Sequence, residues 1–531
     1  MWAQGDNGRW IWVAVAATTA TTALVLTTSN FGILRGMIVS WRARKLPGWP
    51  ADLISGNAKQ LFRSGKSFHN VLKAGVDEYG PLYKLRLFCF TVVVVTDPPT
   101  CQELLRPGPK YLPKAIPPKT PLQKLLGGGP PVSIASAPDG IYHRTIRRAL
   151  SPAFAASSLK QVFPDALDLS QRAADYLANL DKGKNTVDID NISQRITVDL
   201  IGRMVFGVDF GATQFDVKND TLDTTNMLFK SMQGSMNPLN RWIPFRKEAR
   251  AQRYWQKKFL HLAGDVVRHA KEKPAPPGTL MSALLNLTDP ETGKKLTDRQ
   301  LKAEVGILLI AGFETTAHSI AWTLMCLACH EEALKPVLQE LDGLGLLASK
   351  KNPSPRAVDW SDLGKLKELD AAINEGLRLF PAVSSGPTTR RVTQDMELLG
   401  YTIPKGALVM MPTWAVHRSQ EVWGADVHEF KPQRWLGKQE EGANPVREQA
   451  FMPFSHGPRN CVGQTLAILE LRAVLATLLG RIRFQLSEEM GSFQETAEAA
   501  RQFITLQPTI PRTSPPQVGL LLQCTPRSAL D

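Results

Sequence analysis

Six cysteines in 531 residues are too few and too scattered for a disulfide scaffold. The chain suits a reducing compartment. Cys326 and Cys329 form a C-x-x-C with no second pair and no His cluster nearby; set inside a long apolar helical pattern, they read as core packing. No block of Lys or Arg and no nucleic-acid motif accompanies the net charge of +14, so nucleic acid is not an expected partner. A membrane face or an acidic protein suits that charge better. No G-x-G-x-x-G follows a strand, which removes a dinucleotide-binding domain. There is no internal repeat. A hydrophobic content of 43% is ordinary and permits a sizeable core.

Long uncharged runs are also scarce, with one exception. Trp10 to Leu34 carries no charge and as a helix would reach about 37 Å, enough to cross a hydrocarbon core of ~30 Å. Trp10 and Trp12 stand at one end as interfacial aromatics do, and Arg35, Arg42, Arg44 and Lys45 follow the other. The positive-inside rule then places the rest of the chain in the cytosol. A cleaved signal peptide would want a shorter apolar core and an A-x-A site. The expected organisation is a membrane anchor over 1–34, a basic and proline-rich hinge over 35–50, and one large catalytic domain over 51–531.

Beyond the hinge, Pro81 to Asp97 reads as a hairpin closed by the β-branched run Thr91 to Thr96. Tyr111 to Asp139, rich in Pro and Gly, reads as a long loop, of a length usual for disordered or functional segments. Helical patterns dominate from Gly140 to Glu340. Thr297-Asp298-Arg299-Gln300 is a capping box opening a helix that runs to about His330. Short strand patterns return at Met396 to Tyr401, Phe503 to Leu506 and Val518 to Cys524. The predicted fold is mainly α with small peripheral β-sheets.

The most specific segment is Phe454-Ser455-His456-Gly457-Pro458-Arg459-Asn460-Cys461-Val462-Gly463. It precedes a helical run, Gln464 to Leu479, so Cys461 lies just ahead of a helix N-terminus, where partial positive charge favours thiolate. Gly457 permits a tight turn, and Gly463 lets backbone approach a flat ligand. Arg459 supplies a fixed cation suited to a carboxylate. Five fixed positions of this kind recur by chance in roughly one in ten thousand such chains. The pattern F-x-x-G-x-R-x-C-x-G resembles the ligand loop of the cytochrome P-450 family, of the microsomal type. Glu375-Gly376-Leu377-Arg378, Phe430 to Trp435, Ala311-Gly312-Phe313-Glu314-Thr315-Thr316, and Asp139-Gly140 to Phe154 follow the family's order and spacing.

That resemblance implies a single large heme domain with heme b (iron protoporphyrin IX) as cofactor and Cys461 as the axial ligand. It implies that Glu375, Arg378 and Arg434 lock the core beneath the heme, and that Glu314 and Thr315 handle protons. Heme propionates would be met by His143, Arg147, Arg459 and one of Arg390 and Arg391, with Phe454 and Gly463 completing the cofactor contacts. Substrate contacts would come from 113–134, the helix around Gly312 and Phe313, Ala382 to Ser385, and Thr505 to Ile510. These are largely apolar or small, which implies a lipophilic substrate of fatty acid, sterol or terpenoid class. The implied activity inserts one atom of O2, with electrons from a separate membrane-bound NADPH-cytochrome reductase and the endoplasmic reticulum as the site. Two rivals are a heme-thiolate isomerase or dehydratase, and a non-catalytic heme sensor. Both have little use for an intact Glu314-Thr315 pair.

Overall fold

The computed structural model describes residues 35–52, 55–58, 67–115, 133–180, 185–235, 246–273, 279–386, 389–437, 446–502, 505–513 and 517–530. The expected membrane span over 10–34 and residues 116–132 of the Pro/Gly-rich segment lie outside them. The described chain divides into two compact units, one of 35–115 with 389–412 and one of 133–386 with 413–530.

In the smaller unit, strands Leu82–Leu87 and Phe90–Val95 form the predicted hairpin, in register from Leu82 opposite Val95 to Leu87 opposite Phe90. The β-branched residues 92–95 are all buried, as β-propensity and a covered face require. Strand Leu408–Met410 adds in parallel to Val92–Val94, and Arg390–Arg391 closes that edge antiparallel. A second hairpin pairs Met396–Leu398 with Tyr401–Ile403.

The larger unit is mostly helical. Its axis is the helix Asp298–Cys329, opened by the predicted capping box of Thr297 and Gln300 and ended where His330 leaves the helical region. Among the described residues it alone is long and apolar enough to cross a bilayer. It is buried nearly all round, which marks a core helix. Helix Ile189–Ile201 runs against it so closely that a Cβ on Gly312 would stand 2.4 Å from Ile201 Cδ1. Cys326 is fully buried and Cys329 half-buried; burial raises both thiols, Cys329 to about 11, so both are inert packing groups. The sheets are peripheral and small: Thr186–Asp188, Leu521–Pro526 and Ile482–Leu486 in one antiparallel set, with two-stranded pieces at Arg501–Gln502 with Leu506–Gln507 and Thr509–Ile510 with Gln517–Val518.

Helix Lys367–Leu379 carries Glu375 and Arg378, both with no exposed side-chain surface. Glu375 Oε1 accepts from Arg378 Nη2 at 2.8 Å and Arg434 Nε at 3.1 Å, while Oε2 accepts from Arg378 Nε at 2.9 Å and Trp435 Nε1 at 3.0 Å. Removing one partner of a buried ion network strands the remaining charges. Glu375→Ala should therefore cost about 3–5 kcal/mol of stability, seen as lost soluble protein or a lowered unfolding midpoint, whereas a wild-type midpoint would show that the network carries no such role.

Candidate active site

Cys461 is carried by a loop with no regular structure of its own except the turn Gly457–Arg459. The loop is shaped by two left-handed residues, Ser455 at φ 63° and Gly457 at φ 72°. The Cys461 N–H donates to the Phe454 carbonyl at 2.9 Å, which folds the loop back on itself. Helix Gln464–Arg481 begins immediately afterwards, with Gly463 as its N-cap. Cys461 is accessible, yet it is densely surrounded, and this enclosure pushes its thiol up. The Gly463 N–H and the Arg147 charge pull the other way. A Cβ on Gly463 would meet Phe154 at 3.8 Å and Cys461 Sγ at 4.0 Å, ordinary contacts. Packing within the protein therefore does not require glycine there.

Helix Ile141–Leu150 brings His143, which is buried, and Arg147, which is half-buried. Arg147 donates to Asn460, to its carbonyl at 2.7 Å and to its side-chain oxygen. This fixes a guanidinium beside the residue preceding Cys461. Arg459 pairs with Asp139 and donates to the carbonyls of Ile134 at 3.2 Å and Ala137 at 2.8 Å. The carboxylate expected for Arg459 is thus met by the protein's own Asp139. Asn460 and Asp139 had no assigned role in the sequence reading; an amide adjoining the ligand and an acid before a predicted helix were the signals available.

The central helix presents an accessible strip where the rest of it is closed. Ala311 is exposed and Gly312 and Thr315 are half-buried, between buried Ile310 and buried Thr316. Ala311 and Thr315 stand one turn apart on the same face. Thr315 Oγ1 donates to the Ala311 carbonyl at 2.8 Å, and Ser319 repeats the pattern on Thr315 at 2.9 Å. Such back-bonding holds a hydroxyl against the helix while leaving its lone pairs free to accept. Phe313, expected near a substrate, is fully buried and so does not belong to the accessible strip.

Glu314 is 2% exposed and accepts from Gln507 Nε2 at 3.1 Å. Burial raises its carboxyl, opposed by His318, Gln507 and Thr505. It is therefore not a solvated helix residue. The segments Ala382 to Ser385 and Thr505 to Ile510 come together, the Leu506 N–H donating to the Ala382 carbonyl at 2.8 Å. Arg390 and Arg391 lie in the smaller unit; Arg390 is buried and donates to the Leu112 carbonyl at 3.4 Å.

These features coincide with the match between residues 46–510 and the family model Cytochrome P-450. The chain belongs to the cytochrome P-450 family. Its relatives include cytochrome P-450 monooxygenase mpsF of Macrophomina phaseolina, 35% identical over 58% of this chain and 72% of the relative. Cytochrome P-450 3A12 of Canis lupus familiaris is 28% identical over 65% and 68%, and cytochrome P-450 4V2 of Rattus norvegicus 31% over 64% and 66%. As a cytochrome P-450 the protein is an oxygen-incorporating oxidoreductase whose cofactor is heme b. Its residues fit that group: an accessible thiol at a helix N-terminus, a glycine beside it that protein packing does not demand, and a guanidinium fixed next to the ligand loop.

Glu304 marks the start of the same helix face. It is fully buried and accepts from the Ile134 N–H at 3.0 Å and the Tyr142 hydroxyl at 3.2 Å, tying residue 134 to the helix. Burial raises its carboxyl to about 7. A group raised on folding stabilises the fold when protonated. Its contribution is complete below about pH 4 and is lost as pH rises through about 7. Glu304→Gln should therefore flatten the fall in unfolding midpoint between about pH 5 and about pH 8, measured by thermal unfolding; an unaltered pH profile would refute this.

Proposed function

We propose that this cytochrome P-450 is a membrane-anchored monooxygenase that hydroxylates a lipophilic substrate, with Cys461 as the residue that would hold its heme iron. The overall reaction is RH + O2 + two electrons + two protons → ROH + water. The observation that carries the reading is the accessible Cys461 thiol at the head of a helix, in a loop tied back to Phe454. Heme ligated by thiolate supplies the O–O cleaving chemistry. Arg147, Arg459 and His143 would hold the propionates; because Arg459 already meets Asp139, Arg147 is the freer cation. Phe454 and Gly463, beside Cys461, would pack against bound heme. Ala311 and Thr315, on the accessible strip of the central helix, would leave room for oxygen and substrate.

Proton delivery falls to Glu314 and Thr315. Glu314 holds a proton readily because burial raises its carboxyl, and Thr315 accepts and passes hydrogen bonds from a fixed position. Water is limited there by the buried residues around Glu314.

The anchor over 10–34 is supported by the smaller unit. Met37, Ile38 and Trp41 on the helix at 35–42, Phe88 and Phe90 on the first hairpin, and Leu399 and Tyr401 on the second are all exposed. Gly36 abuts Cys89, and Arg42 pairs with Asp395, so the helix lies against both hairpins. Exposed apolar residues of this density suit a bilayer surface. A net charge of +14 suits a separate NADPH-cytochrome reductase with an acidic surface, in the endoplasmic reticulum membrane.

Cys461→Ser should abolish the thiolate signature in the spectrum of the reduced, carbon monoxide-treated protein; an unchanged spectrum would sink the ligand assignment. Titrating the purified protein with fatty acids, sterols and terpenoids should give a saturable spin-state shift for one panel. Shifts confined to charged, water-loving ligands would overturn the lipophilic reading. Glu314→Gln and Thr315→Ala should each lower product formed per NADPH oxidised, and product turnover by about tenfold to a hundredfold, with substrate affinity retained; wild-type coupling in both would remove them from the proton path.

A further inference from the structure

One helical turn beyond Glu314 stands His318, fully buried in the same helix. Its Nε2 lies 3.4 Å from Oδ1 of Asp190, in the first turn of helix Ile189–Ile201. Asp190 is 1% exposed. Its other oxygen accepts from Gln194 Nε2 at 2.7 Å, and Gln194 Oε1 accepts from Asn226 Nδ2 at 3.0 Å. Asn226, on helix Asp220–Ser235, is only half-buried. On the far side of Glu314 stand Gln507 and the Thr505 hydroxyl. Polar side chains from four segments thus form a row through the apolar interior, from a half-buried amide to the Glu314 carboxyl.

Within this row both ring nitrogens of His318 and Asp190 Oδ1 are buried without a hydrogen-bond partner among the described residues. Buried polar atoms in folded proteins are nearly always bonded, to protein or to ordered water. A histidine serving only to pack would be expected to spend at least one nitrogen on a neighbour. Here the imidazole lies between two carboxylates with neither nitrogen committed. That is the disposition of a proton carrier, which takes a proton at one nitrogen and gives one from the other. The groups facing it are Glu314 on its own helix and Asp190 on the packed helix, with Asp188 two residues before Asp190. Among the described residues His318 is the basic group that meets both carboxylates.

We propose that His318 refills Glu314, completing an Asp190–His318–Glu314 proton relay fed by water through the Asn226 end of the row. Each cycle of the relay moves one proton and no electrons. Glu314 releases its proton toward the reaction site and becomes a carboxylate. Neutral His318, whose charged form burial disfavours, takes up a proton from water arriving at the Asp190 side, is briefly the imidazolium, and passes that proton to the Glu314 carboxylate, returning to neutral. His318 is a positioning residue that acts through Glu314; the inference rests on Glu314 being the proton donor proposed above.

The test uses the full-length, heme-loaded enzyme with its reductase. His318→Gln, which keeps hydrogen-bonding groups but carries no proton, should lower kcat by about tenfold. KM and the ligand-induced spin shift should be retained, NADPH should be diverted from product, and the solvent deuterium isotope effect should increase. Combining it with Glu314→Gln should add little to Glu314→Gln alone, because both lie on one path. A readout independent of turnover is the infrared stretch of protonated buried carboxyls, whose pH titration should shift in His318→Gln. Asp190→Asn leaves the imidazole packing in place and should change coupling in the same direction, so it serves where His318→Gln fails to fold. Wild-type coupling and an unshifted carboxyl titration in the foldable variant, with Glu314→Gln impaired, would overturn the relay alone. Glu314→Gln with wild-type coupling would instead overturn the proton assignment on which it rests.

Discussion

One carboxylate fixes a stretch of this protein that has little regular structure. Glu375 receives five donors, from Arg378 twice, Arg434, Trp435 and the Lys431 N–H. The two guanidiniums turn their remaining nitrogens outward to carbonyls of His417, Trp423, Asp426, Val427 and Glu429. Residues 417–435 are mostly irregular, so these bonds satisfy the backbone that a helix or sheet would have satisfied. A buried ion network of this kind adds little net stability over an apolar core. What it supplies is one arrangement of the segment and no other.

That arrangement reaches the ligand loop. The His417 ring, fixed by the Arg378 carbonyl through Nδ1 at 3.1 Å, accepts the Met452 N–H through Nε2 at 3.1 Å. Burial and the neighbouring Arg378 charge hold this imidazole down at about 3, so it stays neutral and keeps an acceptor. Phe451 stacks on the His417 ring at 5.6 Å and meets Trp435 at 4.5 Å. The chain that leads to Cys461 is therefore anchored two residues before Phe454, by groups whose own positions follow from Glu375. A loop held at its far end by the Cys461–Phe454 bond and by the Arg147 and Arg459 contacts is thus tied at its start to the core.

What the sequence made legible was local or strongly patterned. Thr297 and Gln300 mark the start of the central helix because capping chemistry is confined to four consecutive residues, and the run Thr91 to Thr96 marks a strand because β-branching is a backbone preference. The ligand loop is legible because its turn, cation and thiol sit within ten residues. Long-range partners leave no such trace. Arg459 was read as a cation suited to a carboxylate; the carboxylate it meets, Asp139, lies 320 residues away. Nothing in the sequence points from Gly312 to Ile201, yet a Cβ there would meet Ile201 Cδ1 at 2.4 Å, so the space between two helices calls for glycine. Phe313 looked like a substrate contact by its neighbours in sequence, but a step of about 100° per residue turns it from the face that Ala311 and Thr315 share.

The same rotation explains how one helix serves opposed needs. Ala311, Thr315 and Ser319 fall on one line, small or hydroxylated, with each hydroxyl bonded to the carbonyl a turn before. Glu314 and His318 fall on the neighbouring line, turned toward helix Ile189–Ile201 and the Thr505–Gln507 segment. An acid placed on the Thr315 line would stand in the accessible strip, be solvated, and lose the burial that raises its carboxyl. Placed one residue earlier, it keeps that burial and still adjoins the hydroxyl along the chain. The cost of burying it is offset by polar groups set against it, Gln507 from another segment and His318 from the next turn of the same helix.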